Sequence, residues 1–278
     1  MSNQYFPPTH TFPNMDGNLP DFNRRIDLQQ WSQQIPSAVQ PVSTPKTFKP
    51  KRAGTKTSHV VFILDESSSM HTCKAQTISG FNEYLDMQKA DQNKTGIPTF
   101  VSLYKFNGST VDRVYDRAAI DVVNHIGASD YTPNGMTNLY DAIGRVMNLV
   151  NKKLKNANKS NRDSVIINIL TDGAENSSMS FDQSTIKEMV SLAETKNWGF
   201  TFIGANIDAF ATGGKLGFRE SNTLQFGTEN MNETMLAASA MSGRMRSAYA
   251  SGMSTELAYA DYGFNDAERA SAIKGDDK

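Results

Sequence analysis

A run of five apolar residues that stops abruptly at a carboxylate constrains the fold of this chain more than any other stretch. The run spans Val60–Leu64 and mixes β-branched, aromatic and aliphatic side chains. An unbroken apolar run of this length predicts a strand that is buried on both faces, as in a parallel sheet. Asp65–Ser69 follows at once with two carboxylates and three hydroxyls, so the strand ends in a polar loop. In open α/β sheets, ligands bind at this carboxyl end of the strands.

Asp65, Ser67 and Ser69 form an Asp-x-Ser-x-Ser triplet in that loop. The triplet offers only oxygen atoms, the ligand type that Mg²⁺ or Mn²⁺ prefers, and no thiolate or imidazole for Zn²⁺ or copper. A second interpretation needs no metal, because Ser and Asp also accept hydrogen bonds from the free backbone N–H groups at the start of a helix. The triplet alone leaves both interpretations open.

Length and composition exclude several classes of protein. The 278 residues carry a formal net charge of −1, which argues against a general nucleic-acid binder. No apolar run approaches the length that spans a membrane, so we expect no membrane segment. Residues 1–8 contain no basic or apolar signal region, and Cys73 is the single cysteine, which excludes an internal disulfide. We therefore expect a cytoplasmic or assembly-associated protein without a secretory signal.

The composition changes along the chain and predicts three parts. Residues 1–56 hold eight of the ten prolines and show no sustained hydrophobic period, which predicts an extended or disordered N-terminal arm. Residues 57–228 alternate strand-like and helix-like segments, which predicts one α/β domain. Residues 229–278 predict a C-terminal helical extension, in which a methionine-rich helix over 230–250 is interpreted as a packing surface.

The arm itself contains one segment that can become helical. Asp21–Trp31 carries Phe22, Ile26 and Trp31, and it can dock either on a partner or on its own domain. A small basic cluster precedes the domain and is interpreted as a solvated spacer: Lys46, Lys49, Lys51, Arg52 and Lys56. The arm therefore offers a route to self-association or to assembly with another protein.

The pattern over residues 57–228 predicts a doubly wound sheet. Val165–Leu170 and Phe200–Gly204 are two further apolar runs that predict buried strands. Apolar residues at helical spacing predict a helix over residues 75–90 and a longer one from Leu139 to Leu154. Strands that alternate with helices in this way form a mostly parallel sheet with helices on both faces.

One antiparallel pair interrupts the parallel pattern. Asn107 and Gly108 separate the strand-like segments Thr99–Phe106 and Thr110–Tyr115. An Asn-Gly pair between two such segments is the strongest short signal for a β-hairpin. Since parallel sheets commonly carry an antiparallel strand at one edge, we expect this hairpin at a sheet edge.

The topology predicts one site for several oxygen-bearing residues. Asp172 follows the strand Val165–Leu170, and Thr137 lies in the loop before the long helix, so both belong to the edge that carries the triplet. Two carboxylates and three hydroxyls can supply most of an octahedral shell, with waters at the remaining positions. The candidate metal ligands are Asp65, Ser67, Ser69, Thr137 and Asp172.

This constellation resembles the metal-ion-dependent adhesion site of the von Willebrand factor type A (vWA) domain family. The match consists of the Asp-x-Ser-x-Ser triplet after an apolar strand, Thr137 in Gly-x-Thr before a helix, and Asp172 in Leu-Thr-Asp-Gly. It covers about residues 57–228, and the segments 170–176 and 202–208 look like those of bacterial and phage members. The resemblance implies a Rossmann-like α/β domain that binds Mg²⁺ or Mn²⁺ and is not an enzyme.

In this family a partner protein's Asp or Glu can complete the shell of the ion, so the resemblance implies a protein-binding module. Two residues depart from the family pattern. Ser68 stands where the family usually has Gly, and it would be strained if the backbone there needed a positive φ. Glu66 adds a third carboxylate, which either raises the affinity for a cation or points to solvent.

Two other classes of function stay open at this level. An aspartyl-phosphate phosphatase would use Asp65 as its nucleophile beside Mg²⁺, but Ser67 stands where such enzymes carry a second, acid/base Asp. A purely structural protein of a phage particle or another assembly would use the N-terminal arm to reach a neighbouring subunit. The sequence does not separate that role from an adaptor that works with an ATPase.

Overall fold

A six-stranded sheet forms the centre of the computed structural model, which describes residues 57–156, 163–205 and 208–273. The predicted arm over residues 1–56 lies outside these residues. The strands are β1 Ser58–Asp65, β2 Thr99–Phe106, β3 Val111–Ala119, β4 Ser164–Thr171, β5 Trp198–Ala205 and β6 Thr223–Phe226. The α-helices of the described residues are α1 Lys74–Thr95, α2 Leu139–Asn156, α3 Gln183–Glu194, α4 Ala209–Lys215, α5 Met231–Ala250, α6 Thr255–Tyr262 and α7 Asp266–Ile273.

The strand order across the sheet is β3-β2-β1-β4-β5-β6, which is the doubly wound, Rossmann-like order. Every neighbouring pair is parallel except β2 and β3, which are antiparallel. The predicted fold class and the edge hairpin at Asn107 and Gly108 are therefore confirmed. The chain leaves β1 toward one side of the sheet and returns to place β4 on the other side. The topological switch point consequently lies between β1 and β4.

Side chains of β1 alternate between two hydrophobic cores. Val60, Phe62 and Leu64 belong to the core between the sheet and helices α1 and α5, whereas Val61 and Ile63 belong to the core under α2 and α3. All five side chains are buried. An unbroken apolar run is therefore required because β1 has no face exposed to water.

Helix α5 packs along α1 on one face of the sheet and contributes to the same core. Its methionines Met231, Met235, Met241 and Met245 are buried there, which confirms the interpretation of the methionine-rich segment as a packing surface. The division of the chain into a domain and an extension at residue 229 stays a prediction. None of the helices in the described part of the chain is both long and apolar enough to cross a membrane.

Two predicted element boundaries extend further than expected. Helix α1 continues beyond residue 90 to Thr95 and ends at Gly96, whose φ of 68° provides the left-handed C-cap. Strand β3 continues past Tyr115 to Ala119, because an irregular register between β2 and β3 and a positive φ of 50° at Arg117 let the pairing resume. The residues at these ends are polar or small, so the hydrophobic pattern does not predict the continuation.

The start of helix α3 differs from its sequence-based prediction. Ser180 and Gln183 match a capping box, which predicts Ser180 as the N-cap of this helix, and this prediction is wrong. The helix begins at Gln183, and the side chain of Asp182 accepts a hydrogen bond from the Thr185 N–H as its N-cap. The N–H of Ser180 donates instead to Asp141 Oδ1 (2.9 Å), which ties the segment to helix α2.

His59, in β1, is a buried imidazole at the end of the sheet opposite Asp65. It is 1% exposed, and its Nε2 lies 2.8 Å from Ser102 Oγ on β2. Burial is the main cause that lowers the pKa of His59 to about 4, and the neighbouring Asp163 opposes this shift only in part. The imidazole is therefore neutral in the folded protein at neutral pH.

We expect this imidazole to make the folded state less stable as the pH falls below about 6.5. The unfolded chain binds a proton at His59 near pH 6.5, whereas the folded protein does so only near pH 4. Relative to His59→Gln, the wild type should lose about 1 kcal/mol of unfolding free energy between pH 7.5 and pH 5.5. Urea denaturation of both proteins at the two pH values measures this difference, and parallel pH dependences would contradict it.

Candidate metal centre

The two carboxylates of the predicted site flank the topological switch point. Asp65 is the last residue of β1, and Asp172 directly follows β4, the neighbouring parallel strand. Both are almost completely buried, at 0% and 3% exposure. The strands therefore deliver two acidic side chains to the place where open α/β sheets bind ligands.

Hydrogen bonds hold the carboxylate of Asp65 in one orientation. Its Oδ1 accepts from the N–H of Ser67 (2.7 Å), and its Oδ2 accepts from Thr171 Oγ1 (2.6 Å). In addition, the hydroxyl of Tyr131 donates to the backbone carbonyl of Asp65 (2.5 Å). These three hydrogen bonds hold Asp65 in place before any ligand binds, which reduces the conformational entropy that binding costs.

The hydroxyls of the triplet connect to Asp172. Ser67 Oγ lies 3.2 Å from Ser69 Oγ, and Ser69 Oγ donates to Asp172 Oδ1 (2.5 Å). The second oxygen, Asp172 Oδ2, is buried and has no hydrogen-bond partner among the described residues. A buried carboxylate oxygen without a donor is costly, so this atom requires a ligand or water that the protein chain does not supply.

Thr137 reaches the same place from the loop before helix α2. A Cβ atom added at Gly173 would lie 3.2 Å from Thr137 Oγ1 and 3.6 Å from Ser69 Oγ. Gly173 follows Asp172 directly, so both hydroxyls lie beside the backbone that carries the second carboxylate. A larger residue at position 173 would crowd them, which explains the Gly in the Leu-Thr-Asp-Gly motif.

These residues fit a hard divalent cation. Burial raises the pKa of Asp65 to about 6 and also raises the pKa of Asp172, because ionised carboxylates lose hydration in this pocket. A divalent cation bound at this site would offset that cost. In the described ranges no three His, Cys, Asp or Glu side chains form a metal-binding group. Hydroxyls and waters must therefore provide the other ligands, as Mg²⁺ and Mn²⁺ accept.

The structure shows the environments of Glu66 and Ser68, the two residues that depart from the family pattern. Glu66 does not point to solvent, because it is 3% exposed, pairs with Lys105 Nζ (2.8 Å) and accepts from the N–H of Thr132 (2.6 Å). Its charge is thus compensated by the neighbouring strand β2. Ser68 is not strained, since the non-glycine residues with positive φ in the described chain are Arg117 and Asn197.

The structure brings together all five predicted residues, but sequence reasoning missed three that support them: Thr171, Tyr131 and Asn176. The Thr171 hydroxyl donates a hydrogen bond to the Asp65 carboxylate, and the Tyr131 hydroxyl donates to the backbone carbonyl at the end of β1. Asn176 accepts from the N–H of Thr137 (2.9 Å). The hydroxyl next to Asp172 in the Leu-Thr-Asp-Gly motif was a usable signal for Thr171, whereas Tyr131 and Asn176 lie in loops that carry none.

Comparisons with known proteins concern the fold alone. No family model matches the sequence, and no curated protein does either. Among solved structures, proximal thread matrix protein 1 from the mussel byssus is 9% identical with a TM-score of 0.48, over 68% of this chain and 48% of that one. A second structure of that protein is described with a zinc-occupied MIDAS motif. This chain thus spans about half the length of those proteins.

Two further solved structures are similar at the same low level of identity. The SpRpn10 VWA domain is 10% identical with a TM-score of 0.41, over 60% of this chain and 85% of that domain. The manganese-loaded TRAP protein of Plasmodium vivax is 13% identical with a TM-score of 0.41, over 66% of this chain and 74% of that one. The strand order and the motif positions of this chain agree with the predicted resemblance to vWA domains.

Proposed function

We propose that this chain is a protein-binding module that depends on a divalent cation at the switch point between β1 and β4. The observation that carries the proposal is Asp172 Oδ2, a buried carboxylate oxygen without a donor, beside the hydroxyls of Ser69 and Thr137. The ligands of the cation are Asp65, Ser67, Ser69, Thr137 and Asp172, directly or through water. Mg²⁺ and Mn²⁺ are the ions that suit this oxygen set.

A bound cation would supply positive charge at a site whose two carboxylates are otherwise buried without a countercharge. The protein contributes a fixed Asp65, bonded to Ser67 and Thr171, and a short path to solvent through the exposed Ser69. A partner's Asp or Glu that approaches this surface neutralises the remaining charge of the ion. Binding of this kind transforms no substrate, and we propose that the chain is not an enzyme.

The aspartyl-phosphate alternative finds no free acid/base group at the two residues that follow Asp65. Ser67 stands at the position that would carry this group; its hydroxyl lies 3.2 Å from Ser69 Oγ, and its N–H donates to Asp65 Oδ1. The nearby carboxylate of Glu66 is paired with Lys105 and bonded to Thr132. A phosphatase would need one of these groups to be free for proton transfer.

The place of the module in a larger structure is a further part of the proposal. We propose a phage or bacterial assembly, because the predicted N-terminal arm over residues 1–56 would add a second contact to the one at the ion. Two tethered contacts bind together with an avidity about 10²–10⁴ above either alone. Partner and self-association would then depend on both parts.

The test is a pull-down with the full chain in Mg²⁺, in EDTA and with Thr137→Ala. Partners bound through the ion should be recovered by the wild type in Mg²⁺, and they should be lost both in EDTA and with Thr137→Ala, because both changes weaken the cation site. The matched control is Thr195→Ala, which removes an exposed hydroxyl that bonds only Leu192 O. Recovery of the same partners in EDTA would overturn the proposal.

A further inference from the structure

Asn176 forms both hydrogen bonds that hold the backbone of Thr137. Its side-chain Oδ1 accepts from the N–H of Thr137 (2.9 Å), and its own N–H donates to the carbonyl of Thr137 (3.0 Å). Thr137 lies outside the helices and strands, two residues before helix α2 begins at Leu139. The position of its hydroxyl therefore depends on one residue of a neighbouring loop.

That neighbouring loop is the one that carries Asp172. Asn176 lies four residues after Asp172, and Gly173 between them makes the close approach to Thr137 Oγ1. The loop thus contains both a predicted ligand and the residue that holds another predicted ligand. The two sides of the site are coupled through Asn176 rather than through a strand or a helix.

The same loop also caps the first turn of helix α2. Glu175 Oε2 accepts from the N–H of Tyr140 (2.9 Å), and Ser178 Oγ accepts from the N–H of Asp141 (3.0 Å). Side chains at these positions satisfy backbone donors that the helix leaves free. The start of α2 is consequently held against the Asp172 loop at several points, of which Asn176 is the one nearest to the site.

We propose that Asn176 is a positioning residue of the cation site. It directs the hydroxyl of Thr137 toward Ser69 and Asp172, and it acts through Thr137 rather than on the ion. This inference rests on the proposed function. Residues that orient metal ligands typically change the metal affinity by about 10–100-fold when they are replaced, although they do not contact the metal.

The experiment is a titration of the full chain with Mn²⁺, followed by electron paramagnetic resonance, which reports free and bound ion without reference to folding. Asn176→Ala should weaken Mn²⁺ binding by about tenfold, because Thr137 loses the acceptor for its N–H. Asn176→Asp keeps an oxygen at that position and should bind Mn²⁺ at least as tightly as the wild type.

The matched control is Asp182→Ala, which removes a comparable loop acceptor at the start of α3, where Asp182 Oδ1 accepts from the Thr185 N–H (2.8 Å). This variant should lower the melting temperature and leave the Mn²⁺ affinity unchanged. If Asn176→Ala behaves like Asp182→Ala, or if Asn176→Asp binds as weakly as Asn176→Ala, the positioning role is wrong while the proposed function stands. A wild type that binds no Mn²⁺ overturns the proposed function and this inference together.

Discussion

Asp91→Ala is expected to destabilise the protein by about 3 kcal/mol, because it leaves a buried guanidinium without its countercharge. Arg246 of helix α5 is 0% exposed, and one of its nitrogens pairs with the carboxylate of Asp91 on helix α1. A second nitrogen donates to Thr99 Oγ1 (2.8 Å), whereas Nε has no partner in the described chain. Without Asp91, the desolvation cost of the buried Arg246 guanidinium is no longer compensated.

Urea denaturation of three variants tests this prediction. Asp86→Ala is the control, because Asp86 is 57% exposed and its contacts with Lys89 Nζ (3.9 Å) and His125 Nε2 (2.9 Å) lie at the surface; this variant should lose less than about 1 kcal/mol. Combining Asp91→Leu with Arg246→Met should recover most of the loss, since an apolar pair replaces a buried ion pair at little cost. An Asp91→Ala variant as stable as Asp86→Ala would contradict the prediction.

The pair between Arg246 and Asp91 belongs to a polar network that fixes α5 against α1 and the sheet. Gln88 Nε2 donates to the carbonyl and the hydroxyl of Ser239, and Tyr84 OH bonds Ser242 Oγ. Asn168 of β4 joins through Tyr84 OH (3.2 Å). Buried polar groups of this kind accept only one arrangement of the two helices, because a shifted arrangement would leave several of them unpaired.

This network also explains why the polar part of the packing surface of α5 could not be derived from its sequence. A buried helix usually shows an apolar stripe, but α5 turns Ser239, Ser242 and Arg246 inward together with its methionines. Hydrophobic periodicity assigns such residues to the solvent side. Their burial depends on partners in α1 and β4 that are far away in the chain.

The strands next to the site could be predicted because the sequence of each strand is itself a signal for a buried strand. Strand β1 contains an unbroken apolar run, and β4 and β5 are mostly apolar, with Asn168 and Thr201 as polar residues inside them; β1 and β4 end at a carboxylate or at a hydroxyl followed by a carboxylate. Parallel strands with these endings must bring Asp65 and Asp172 to one edge. The convergence of the candidate ligands thus followed from topology alone.

The environment of Glu66 could not be predicted, because its partner lies on another strand. Register places Leu64 opposite Lys105 in the parallel pair of β1 and β2, so the ammonium reaches the residue just beyond the end of β1. The loop N–H of Thr132 adds a second bond. Neither contact has a signature in the sequence near Glu66.

Asp65→Asn is expected to abolish the stabilisation by a divalent cation while it leaves the cation-free protein nearly unchanged. The amide keeps the shape, its oxygen can accept from the Ser67 N–H, and its NH₂ can donate to Thr171 Oγ1, but it removes the charge that binds the ion. At a cation concentration 100-fold above its dissociation constant, the wild type should gain about 2.7 kcal/mol. For a domain of this size, that gain raises the melting temperature by about 5–10 °C.

Thermal denaturation in EDTA, Mg²⁺ and Mn²⁺ measures this increment, with Asp182→Asn as the control. Asp182 also accepts backbone and side-chain hydrogen bonds, from Thr185 and Ser184, but it lies at the start of α3 and not among the candidate ligands. That variant should keep the full cation increment even if its melting temperature falls. Because both variants exchange one Asp for Asn, a difference between their cation responses reports the position of the charge and not the overall charge of the protein. Equal increments in the wild type and in Asp65→Asn would mean that the cation binds elsewhere, and an unchanged wild type would mean that the orphaned oxygen of Asp172 is satisfied by water.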